Sequence, residues 1–403
     1  MKYIFPSLLQ TANDISSFSW FDIKRRRKKT RKKRKKRKIK LVIVQTTKFK
    51  LELTDEQQKV LKLFLDDVID VYNLTNEYIK TNKLTKKEVN FRKLRTALKS
   101  EIKAICAING LHKHTADYSV KHCVEMYKSA FSNMKNKEFN IKNLDKTRRR
   151  KNLVIEPCYF SKKCNTFFGL GAMISSLPFK NNISRNSILQ YDTHKRSFII
   201  ITPYKEKVTT RVKHHKKCGI DIGVRTFLTT YNENESYEIG TNTNRAIDRL
   251  NKRIDKYNSF ITDNLLSTRK CKDTLIKYSD KLKNKMSDMH NKAANFLLKR
   301  YDKINIGNVS IKRMLSNTTG NLYNKVKRRL VALSHYNFRM KLKAMAPKFG
   351  TIVNEIDEYM TSKTCHNCKN IKKDLGSAKV YKCEKCNVKL DRDINAAINI
   401  YKL

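Results

Sequence analysis

Apolar and polar residues alternate along the chain with two different periods, and each period predicts one type of element. Phe49, Leu51 and Leu53 alternate with charged residues, which predicts a half-buried strand. Thr54 follows and can cap a helix, because a threonine side chain accepts a hydrogen bond from the first helical turn. Apolar residues at helical spacing then predict three helices: one from this cap through Tyr72, one over Lys87–Ile108 and one over Ala116–Met134.

The second half of the chain predicts buried strands and long amphipathic helices. Between the two halves, Ser197–Pro203 reads as a strand, and the basic run Arg148–Lys151 reads as a linker or a phosphate-facing loop. The predicted elements after these are a strand pair over Cys218–Thr230, a helical hairpin over Arg245–Leu297 that turns near Ser267–Lys272, a strand within Tyr301–Val309, one helix over Asn321–Met345 that Pro347 and Gly350 stop, and a strand over Thr351–Ile356.

The charge balance indicates a nucleic-acid partner. The 403 residues include 89 Lys and Arg against 36 Asp and Glu, a formal net charge of +53. Lysine and arginine that neutralise phosphates release counterions, which gives tight and salt-sensitive binding. The charge runs through the whole chain, whereas a membrane-surface protein would concentrate it in one amphipathic stretch. No apolar run reaches the roughly 18 residues of a membrane span, and the first residues do not resemble a signal peptide.

A basic segment near the start of the chain has two interpretations. Lys24–Lys40 is basic except for Thr30 and Ile39, and such mutual repulsion predicts disorder in the free chain. The segment is either a nuclear localisation signal or a nucleic-acid-binding tail, and one segment can do both. We expect a nuclear protein of a reducing, intracellular compartment, where most cysteines outside metal sites are reduced and packed.

An acidic residue interrupts one of the apolar strands. Asp221 lies between Gly219 and Gly223 in an otherwise apolar run. Burying a lone carboxylate is costly, and a metal ion bound to it would offset that cost. An aspartate that caps the turn at the strand end is the alternative, and the motif alone does not separate the two.

Two Cys-x-x-Cys pairs near the end of the chain predict a zinc site. Cys365 and Cys368 precede Cys383 and Cys386 by fourteen intervening residues. Two such knuckles supply four thiolates to a closed tetrahedral site, so a bound Zn²⁺ would be structural. Four free thiols are the alternative.

Several separated motifs together resemble the TnpB/Fanzor family of RNA-guided DNA endonucleases, which transposons carry. The matching segments are Gly219–Gly223, Tyr301–Met314, Thr361–Cys365, the second cysteine pair and Asp391–Ala397. The resemblance is good over Lys216–Leu403 and weaker over Lys40–Tyr78.

The resemblance implies an α/β fold, namely a RuvC-like nuclease domain of RNase H type that an inserted zinc ribbon interrupts. It also implies an N-terminal β-barrel with an inserted helical lobe that grips the guide RNA. The implied boundaries are a basic tail at 1–40, the barrel at 41–215 with its lobe at about 55–150, the nuclease domain at 216–360 and 388–403, and the ribbon at 361–387.

The resemblance also implies a two-ion Mg²⁺ site. Its first and last catalytic aspartates correspond to Asp221 and Asp393, which leaves Asp391 as a helix-entry or supporting residue. Hydrolysis of a phosphodiester by two divalent ions needs carboxylates that hold the ions about 4 Å apart, and hard oxygen ligands suit Mg²⁺.

The third acid of the family departs from its usual place. Most TnpB relatives have a glutamate at the position of Gly307. In Fanzors and some TnpB relatives the glutamate instead lies three residues before the threonine of Thr-Ser-Lys-Thr-Cys, which is Glu358 here. Glu355 and Asp357 are close in sequence but do not match that position. Either the acid has moved to Glu358 or the nuclease has decayed, and we expect relocation and therefore the Fanzor branch.

The expected activity is RNA-guided endonucleolytic cleavage of DNA. The expected partners are a guide RNA encoded near the gene and double-stranded target DNA with a short flanking motif. A guided DNA-binding protein without nuclease activity and a transposase are the rival interpretations.

Overall fold

The computed structural model describes residues 42–133, 139–161, 166–171, 174–175, 185–207, 216–263, 268–308, 311–315, 322–372, 374–376 and 378–403. The chain divides into two units, Met1–Lys40 and Leu41–Leu403. The basic segment Lys24–Lys40 belongs to the first unit and lies outside the described residues, so its predicted roles stay predictions.

The N-terminal half combines an antiparallel sheet with four helices. Its strands are β1 (Val42–Glu52), β2 (Arg150–Ile155), β3 (Phe160–Ser161), β4 (Thr166–Phe167), β5 (Ile174–Ser175), β6 (Ser187–Asp192) and β7 (Ser197–Lys207). Its helices are α1 (Asp55–Thr81), α2 (Phe91–Ala97), α3 (Lys99–Asn109) and α4 (Lys113–Asn133), with a 3₁₀ turn at Pro157–Tyr159. The five-stranded sheet has the order β2-β6-β7-β1-β5, and β3 pairs with β4. The strands described in this half form these two sheets, so closure into a barrel stays a prediction.

Helix α1 begins where the sequence predicts. The Thr54 hydroxyl accepts from the Gln57 N–H at 3.2 Å, and the Gln57 side chain accepts from the Thr54 N–H at 3.1 Å. This reciprocal capping box satisfies two backbone donors that the helix itself cannot. The apolar side of α1 then joins one core with the sheet and α4, and this core includes the fully buried Leu61, Val120 and Ile155.

The second half is built on a mixed five-stranded sheet. Its strands are β8 (Lys217–Ile222), β9 (Leu228–Tyr231), β10 (Ser236–Ile239), β11 (Lys303–Gly307) and β12 (Ile352–Ile356). The order is β10-β9-β8-β11-β12, in which β8, β11 and β12 are parallel and β9 and β10 are antiparallel to their neighbours. The helices are α5 (Thr243–Thr262), α6 (Thr268–Arg300), α7 (Ile311–Leu315), α8 (Asn324–Leu333), α9 (His335–Phe349) and α10 (Arg392–Lys402), and the two last strands are β13 (Val380–Lys382) and β14 (Lys389–Asp391).

The two faces of this sheet have different partners. On β8, Cys218 and Ile220 belong to the core that α6 and α9 complete. Gly219 points to the other face, where α10 approaches so closely that an added Cβ would lie 2.4 Å from the Ala397 carbonyl oxygen. Because side chains alternate along a strand, Asp221 shares the α10 face with Gly219.

Three local predictions in this region are wrong. The hairpin turn predicted at Ser267–Lys272 is wrong over Thr268–Lys272, because these residues already lie in α6. The single helix predicted over Asn321–Met345 is two helices, since Ser334 adopts a left-handed conformation (φ 48°, ψ 54°) that breaks the hydrogen-bond ladder. Pro347 lies inside α9, and Gly350 alone, at φ 68°, ends that helix.

The basic run Arg148–Lys151 is not a linker or a phosphate-facing loop. Arg150 begins β2, and the Arg149 guanidinium lies 2.6 Å from the Asp280 carboxylate on α6. Lys151 is buried beside Asp66. At least two of these four cations therefore act as internal counterions, which leaves them unavailable for phosphate.

None of the helices among the described residues has the length and apolar character needed to cross a bilayer.

Candidate active site

The four predicted zinc ligands converge. Their sulfur atoms all lie within 4.8 Å of one another, and the closest pairs are Cys368 with Cys383 at 3.4 Å and Cys365 with Cys386 at 3.6 Å. Tetrahedral Zn–S bonds of about 2.3 Å place sulfur atoms roughly 3.8 Å apart, so the donor set fits zinc. The Val388 backbone N–H donates to the Cys386 sulfur and lowers the pKa of that thiol to about 6, which favours its thiolate. At Cys368 a backbone hydrogen bond from Asn370 lowers the pKa, but burial and hydrogen bonds with the other three thiols outweigh it and raise the pKa. The site could therefore hold a structural zinc ion.

The other cysteines follow the prediction with one exception. Cys106, Cys123, Cys218 and Cys271 are buried free thiols, as a reduced packing role requires. Cys158 is exposed, and Cys164 lies outside the described residues.

The two predicted aspartates meet at one end of the sheet. Asp221 lies on β8 near its C-terminal end, and Asp393 lies in the first turn of α10. Asp391 caps α10, since its side chain accepts from the Asp393 N–H at 2.8 Å, so it is a helix-entry residue. An added Cβ on Gly223 would lie 3.9 Å from the Asp393 carboxylate, which places that carboxylate beside the turn that follows β8.

Glu358 occupies the space of the missing family glutamate. Strand β11 pairs in parallel with β8, with Asn305 opposite Gly219, and this register continued by two residues puts Gly307 beside Asp221. A Cβ built on Gly307 would lie 1.5 Å from the Glu358 Oε1 and 2.3 Å from its carboxyl carbon. The Glu358 side chain therefore reaches across the sheet to the place where a side chain at position 307 would begin.

The two neighbouring acids are placed elsewhere. Glu355 lies opposite Ile306, a core residue, so it points to the opposite face of the sheet from Gly307. There its carboxylate pairs with Lys343 at 3.0 Å and lies 3.4 Å from the Arg339 guanidinium, both on α9. Asp357 is exposed, and its carboxylate accepts from the Tyr359 N–H at 3.1 Å. Of these three acids, Glu358 is the one that lies over Gly307.

The three carboxyls disfavour one another's negative charge. Burial and the negative charge of Asp393 raise the pKa of Asp221 to about 7, while the positive charge of Arg392 opposes this rise. Burial and the charge of Asp221 raise the pKa of Glu358 to about 9. Burial and the charge of Asp391 also raise the pKa of Asp393. Asp221 is therefore electrostatically coupled to both other acids and lies at the centre of the cluster.

The carboxylate oxygens of the acidic cluster are suitable ligands for divalent cations, and they lie farther apart than the sulfur atoms of the cysteine site. The Glu358 Oε1 is buried and has no hydrogen-bond partner among the described residues. Within the part of the chain that the structure describes, the four cysteines are the only group of three or more such ligands whose donor atoms converge within 4.8 Å. A pair of ions that share Asp221 does not require all three carboxylates to converge on one point.

Sequence reasoning missed three residues that lie near this cluster in the fold or in the chain. From the sequence alone, Gly307 indicates the loss of the family's glutamate, although its lack of a side chain makes room for the Glu358 carboxylate. Asn395 and Asn399 are buried in α10 one helical turn apart. Buried asparagines inside a short helix are unusual, because asparagine favours caps and turns, and that is the signal that could have identified them.

Comparisons with known proteins agree with these features. A family described as "Cas12f1-like, TNB domain" matches residues 335–400, and one described as "Probable transposase" (OrfB_IS605) matches residues 201–318. A TnpB-like protein of Acanthamoeba polyphaga mimivirus is 37% identical over 390 residues, which covers 90% of this chain and 74% of that protein. A TnpB-like protein of Methanocaldococcus jannaschii is 26% identical over 212 residues, which covers 50% of this chain and 74% of that protein.

Two solved structures are also similar in part. A Cas12f1 complex with sgRNA and target DNA covers 90% of this chain and 100% of its own, with 16% identity and a TM-score of 0.36. The mini-RNA-guided endonuclease CRISPR-Cas_phi3 covers 89% and 92%, with 10% identity and a TM-score of 0.46. Overlap at these scores does not assign a fold, so the family assignment rests on the sequence relatives.

The sequence relatives and the four-cysteine site define a protein of a transposon-associated family. The chain belongs to the TnpB family.

Proposed function

We propose that this protein is an RNA-guided DNA endonuclease of the Fanzor branch, with Asp221, Glu358 and Asp393 as the catalytic metal ligands. The observation that carries the proposal is the position of Glu358. Its carboxylate lies over Gly307 and beside Asp221, where a glutamate on β11 would otherwise stand. A decayed nuclease has no reason to keep a half-buried glutamate at this point with a buried carboxylate oxygen that has no hydrogen-bond partner among the described residues.

The chemistry follows from the three carboxylates. Mg²⁺ ions bound there would activate water and stabilise the leaving oxygen of a DNA phosphodiester. The side chains hold the ions in place and, as anions, offset the positive charge that the ions bring into a buried site. Asp221, Asp393 and Glu358 would hold the ions together, and Asp221 is the acid whose charge is coupled to both of the others.

The surrounding architecture supports a RuvC-like domain. A mixed five-stranded sheet has α10 on one face and α6 with α9 on the other, and the ribbon lies between β12 and α10 in sequence. The N-terminal sheet and its helices would then grip the guide RNA and the RNA–DNA duplex, and base pairing would supply the sequence specificity. The net charge of +53 suits contacts with nucleic-acid backbones.

The Fanzor assignment has two supports. Glu358 stands at the alternative glutamate position of that branch, and the matched relatives include proteins of Acanthamoeba polyphaga mimivirus.

Nuclear import through Lys24–Lys40 belongs to the same proposal. A full-length protein and a variant lacking residues 24–40, expressed in a eukaryotic cell, would test it, and equal nuclear fractions would contradict it.

Cleavage of DNA by the purified complex tests the function. The protein would be co-purified with RNA from its own locus and given a plasmid library with Mg²⁺. We expect cleavage by the wild type and a loss of roughly 10²- to 10³-fold for Asp221→Ala and Glu358→Gln. Glu355→Gln and Asp357→Asn are the matched controls and should cut at close to the wild-type rate.

The rival functions predict different outcomes of the same experiment. A guided binder without nuclease activity would retain RNA and matching DNA while cutting nothing. A transposase would act on terminal repeats of its own element without a guide. If Glu358→Gln cuts normally while Glu355→Gln or Asp357→Asn fails, the assignment of the third ligand is wrong.

A further inference from the structure

Helix α10 carries Asp393 and is held from two sides. On the sheet side, the helix backbone packs directly on Gly219, and the buried Asn305 amide donates to the Ile400 carbonyl at 3.2 Å. This contact fixes the C-terminal half of α10 against the strands that carry Asp221 and Gly307.

On the opposite side, two buried asparagines tie α10 to the first zinc knuckle. The Asn395 Oδ1 accepts from the His366 backbone N–H at 3.0 Å, and its Nδ2 donates to the Thr364 carbonyl at 2.8 Å. The Asn399 Nδ2 donates to the carbonyls of Thr361 at 2.9 Å and Thr364 at 2.8 Å. The two asparagines are 0% and 6% exposed, so these bonds are made without competition from water.

The segment that receives these bonds connects Glu358 with the zinc ligands. At one end, the Thr361 N–H and hydroxyl donate to the Glu358 carbonyl at 3.1 and 3.0 Å. At the other end the segment contains Cys365 and Cys368. Both asparagines therefore bond to the backbone of one short segment. The predicted Mg²⁺ ligand Glu358 precedes this segment, and the zinc ligands Cys365 and Cys368 lie at its other end.

We propose that Asn395 and Asn399 are positioning residues that set the separation of Asp393 and Glu358, with the zinc knuckle as their rigid anchor. This inference rests on the proposed function of the acidic cluster. Asn395 lies two residues after Asp393 in α10, and Asn399 bonds the residue that holds the Glu358 carbonyl. Loss of the two amides would let the helix and the Glu358–Cys368 segment move independently, which would loosen the cation site without removing any of its ligands.

A purely structural role would be a simpler explanation, so the test needs a readout at the cation site. The variants are Asn395→Ala, Asn399→Ala and their combination in the full-length zinc-loaded protein. Asn242→Ala is the control, because the exposed Asn242 directly precedes α5 and its side chain makes no capping bond. Mn²⁺ binding would be measured by titration, and Asp221→Ala would define the share of binding that belongs to the acidic cluster.

We expect the double variant to keep one zinc ion per chain and to bind Mn²⁺ at the Asp221-dependent site about 10- to 100-fold more weakly. Loss of residues that position metal ligands commonly lowers metal affinity by this factor. Asn395→Asp keeps the acceptor for the His366 N–H and loses the donor to Thr364, so its affinity should fall between the wild type and Asn395→Ala. Unchanged Mn²⁺ affinity in a zinc-loaded double variant overturns the proposal.

A second measurement decides the question if the double variant fails to fold. Hydrogen–deuterium exchange of the wild type would be compared before and after zinc removal by a chelator. We expect faster exchange of the amides of residues 392–402 and no change in α1. Unchanged exchange in α10 overturns the proposal. Neither readout needs DNA cleavage, so a protein that responds as expected but never cuts would contradict only the proposed function.

Discussion

The Glu358 carboxylate lies where the first side-chain atom of residue 307 would stand, since a Cβ on Gly307 would be 1.5 Å from the Glu358 Oε1. Two residues that are 51 positions apart thus share one site on the sheet. A side chain at position 307 and the Glu358 carboxylate cannot occupy this place together, so any residue other than glycine would displace the Glu358 side chain. If the acidic residue moves from β11 to the turn after β12, both positions must therefore change together.

The smallest possible side chain at position 307 should disable the site. Gly307→Ala places a methyl group on the Glu358 carboxylate and forces it away from Asp221, so we expect cleavage to fall as far as in Glu358→Gln. Gly110→Ala is the control: it adds strain at a positive φ of 77° but meets no atom within 4 Å. Cleavage rates and circular dichroism of both variants check this, and an active Gly307→Ala protein would contradict the steric coupling.

An exchange of the two residues should restore the site. Gly307→Glu alone brings two glutamates into one space and should be inactive. Gly307→Glu combined with Glu358→Gly returns a single glutamate to β11, and we expect it to recover measurable cleavage. The comparison of the single and double variants in one assay is decisive. Equal inactivity of both would mean that the backbone around Glu358 has a further role.

Zinc binding should depend on the four clustered cysteines and not on the exposed Cys158. Cys383→Ser removes one of four converging thiols, so we expect the zinc content to fall from one ion per chain toward zero and the ribbon to become sensitive to protease. Cys158→Ser changes an exposed thiol outside the cluster and should keep the full zinc content. Elemental analysis of both purified variants measures the difference. A zinc-loaded Cys383→Ser protein would contradict the four-thiolate site.

Two buried histidines should make the folded protein less stable in mild acid. The rings of His290 and His335 each stack on Phe227 with ring centroids 5.2 Å apart, and burial lowers the pKa of each histidine to about 4. An unfolded histidine titrates near 6.5, so between pH 6.5 and about 4 the unfolded state binds more protons and stability falls as the pH falls. The full effect at pH 4 is roughly 3 kcal/mol per histidine.

A change of one ring isolates this effect from other titrating groups. His335→Phe keeps an aromatic ring in the stack but cannot titrate, so its stability should depend less steeply on pH between 6.5 and 4. His114→Phe, at an exposed position, is the control. Urea denaturation at several pH values gives the slopes, and identical slopes for His335→Phe and the wild type would contradict the prediction.

The ion pair between the two halves should contribute measurably to stability. The Asp280 carboxylate is nearly buried and lies 2.6 Å from the Arg149 guanidinium and 2.9 Å from the Lys195 amine. We expect Asp280→Ala to lower the free energy of unfolding by roughly 2 kcal/mol, because charged hydrogen bonds are lost in a partly desolvated site. Asp288→Ala removes an exposed pair with Lys292 on the same helix and should cost about 0.5 kcal/mol or less. Equal midpoints in urea would contradict this difference.

Sequence reasoning succeeds where a feature depends on local spacing. The Thr54 cap and the strands that contain Phe49 and Asp221 follow from short periods, and the structure has them where they are predicted. It fails where a residue's role depends on a distant partner. Arg149 looks like part of a basic loop because neither Asp192 nor Asp280 can be seen to lie beside it. Sequence reasoning also fails at the break at Ser334, since helical periodicity continues across this residue while its backbone is left-handed.

The sequence by itself determined the family and the four cysteines, because the family motifs and the spacing within a knuckle can be recognised locally. It gave Asp221 and Asp393 as candidate ligands through their places in the same motifs. It also gave Glu358 as the candidate for the third acid, through its distance from the threonine that begins the ribbon. Only the tertiary structure separated Glu358 from Glu355 and Asp357 by position. The face on which a side chain lies depends on the register of its strand with its neighbours, and β12 places Glu355 toward α9 while the turn after it directs Glu358 over Gly307.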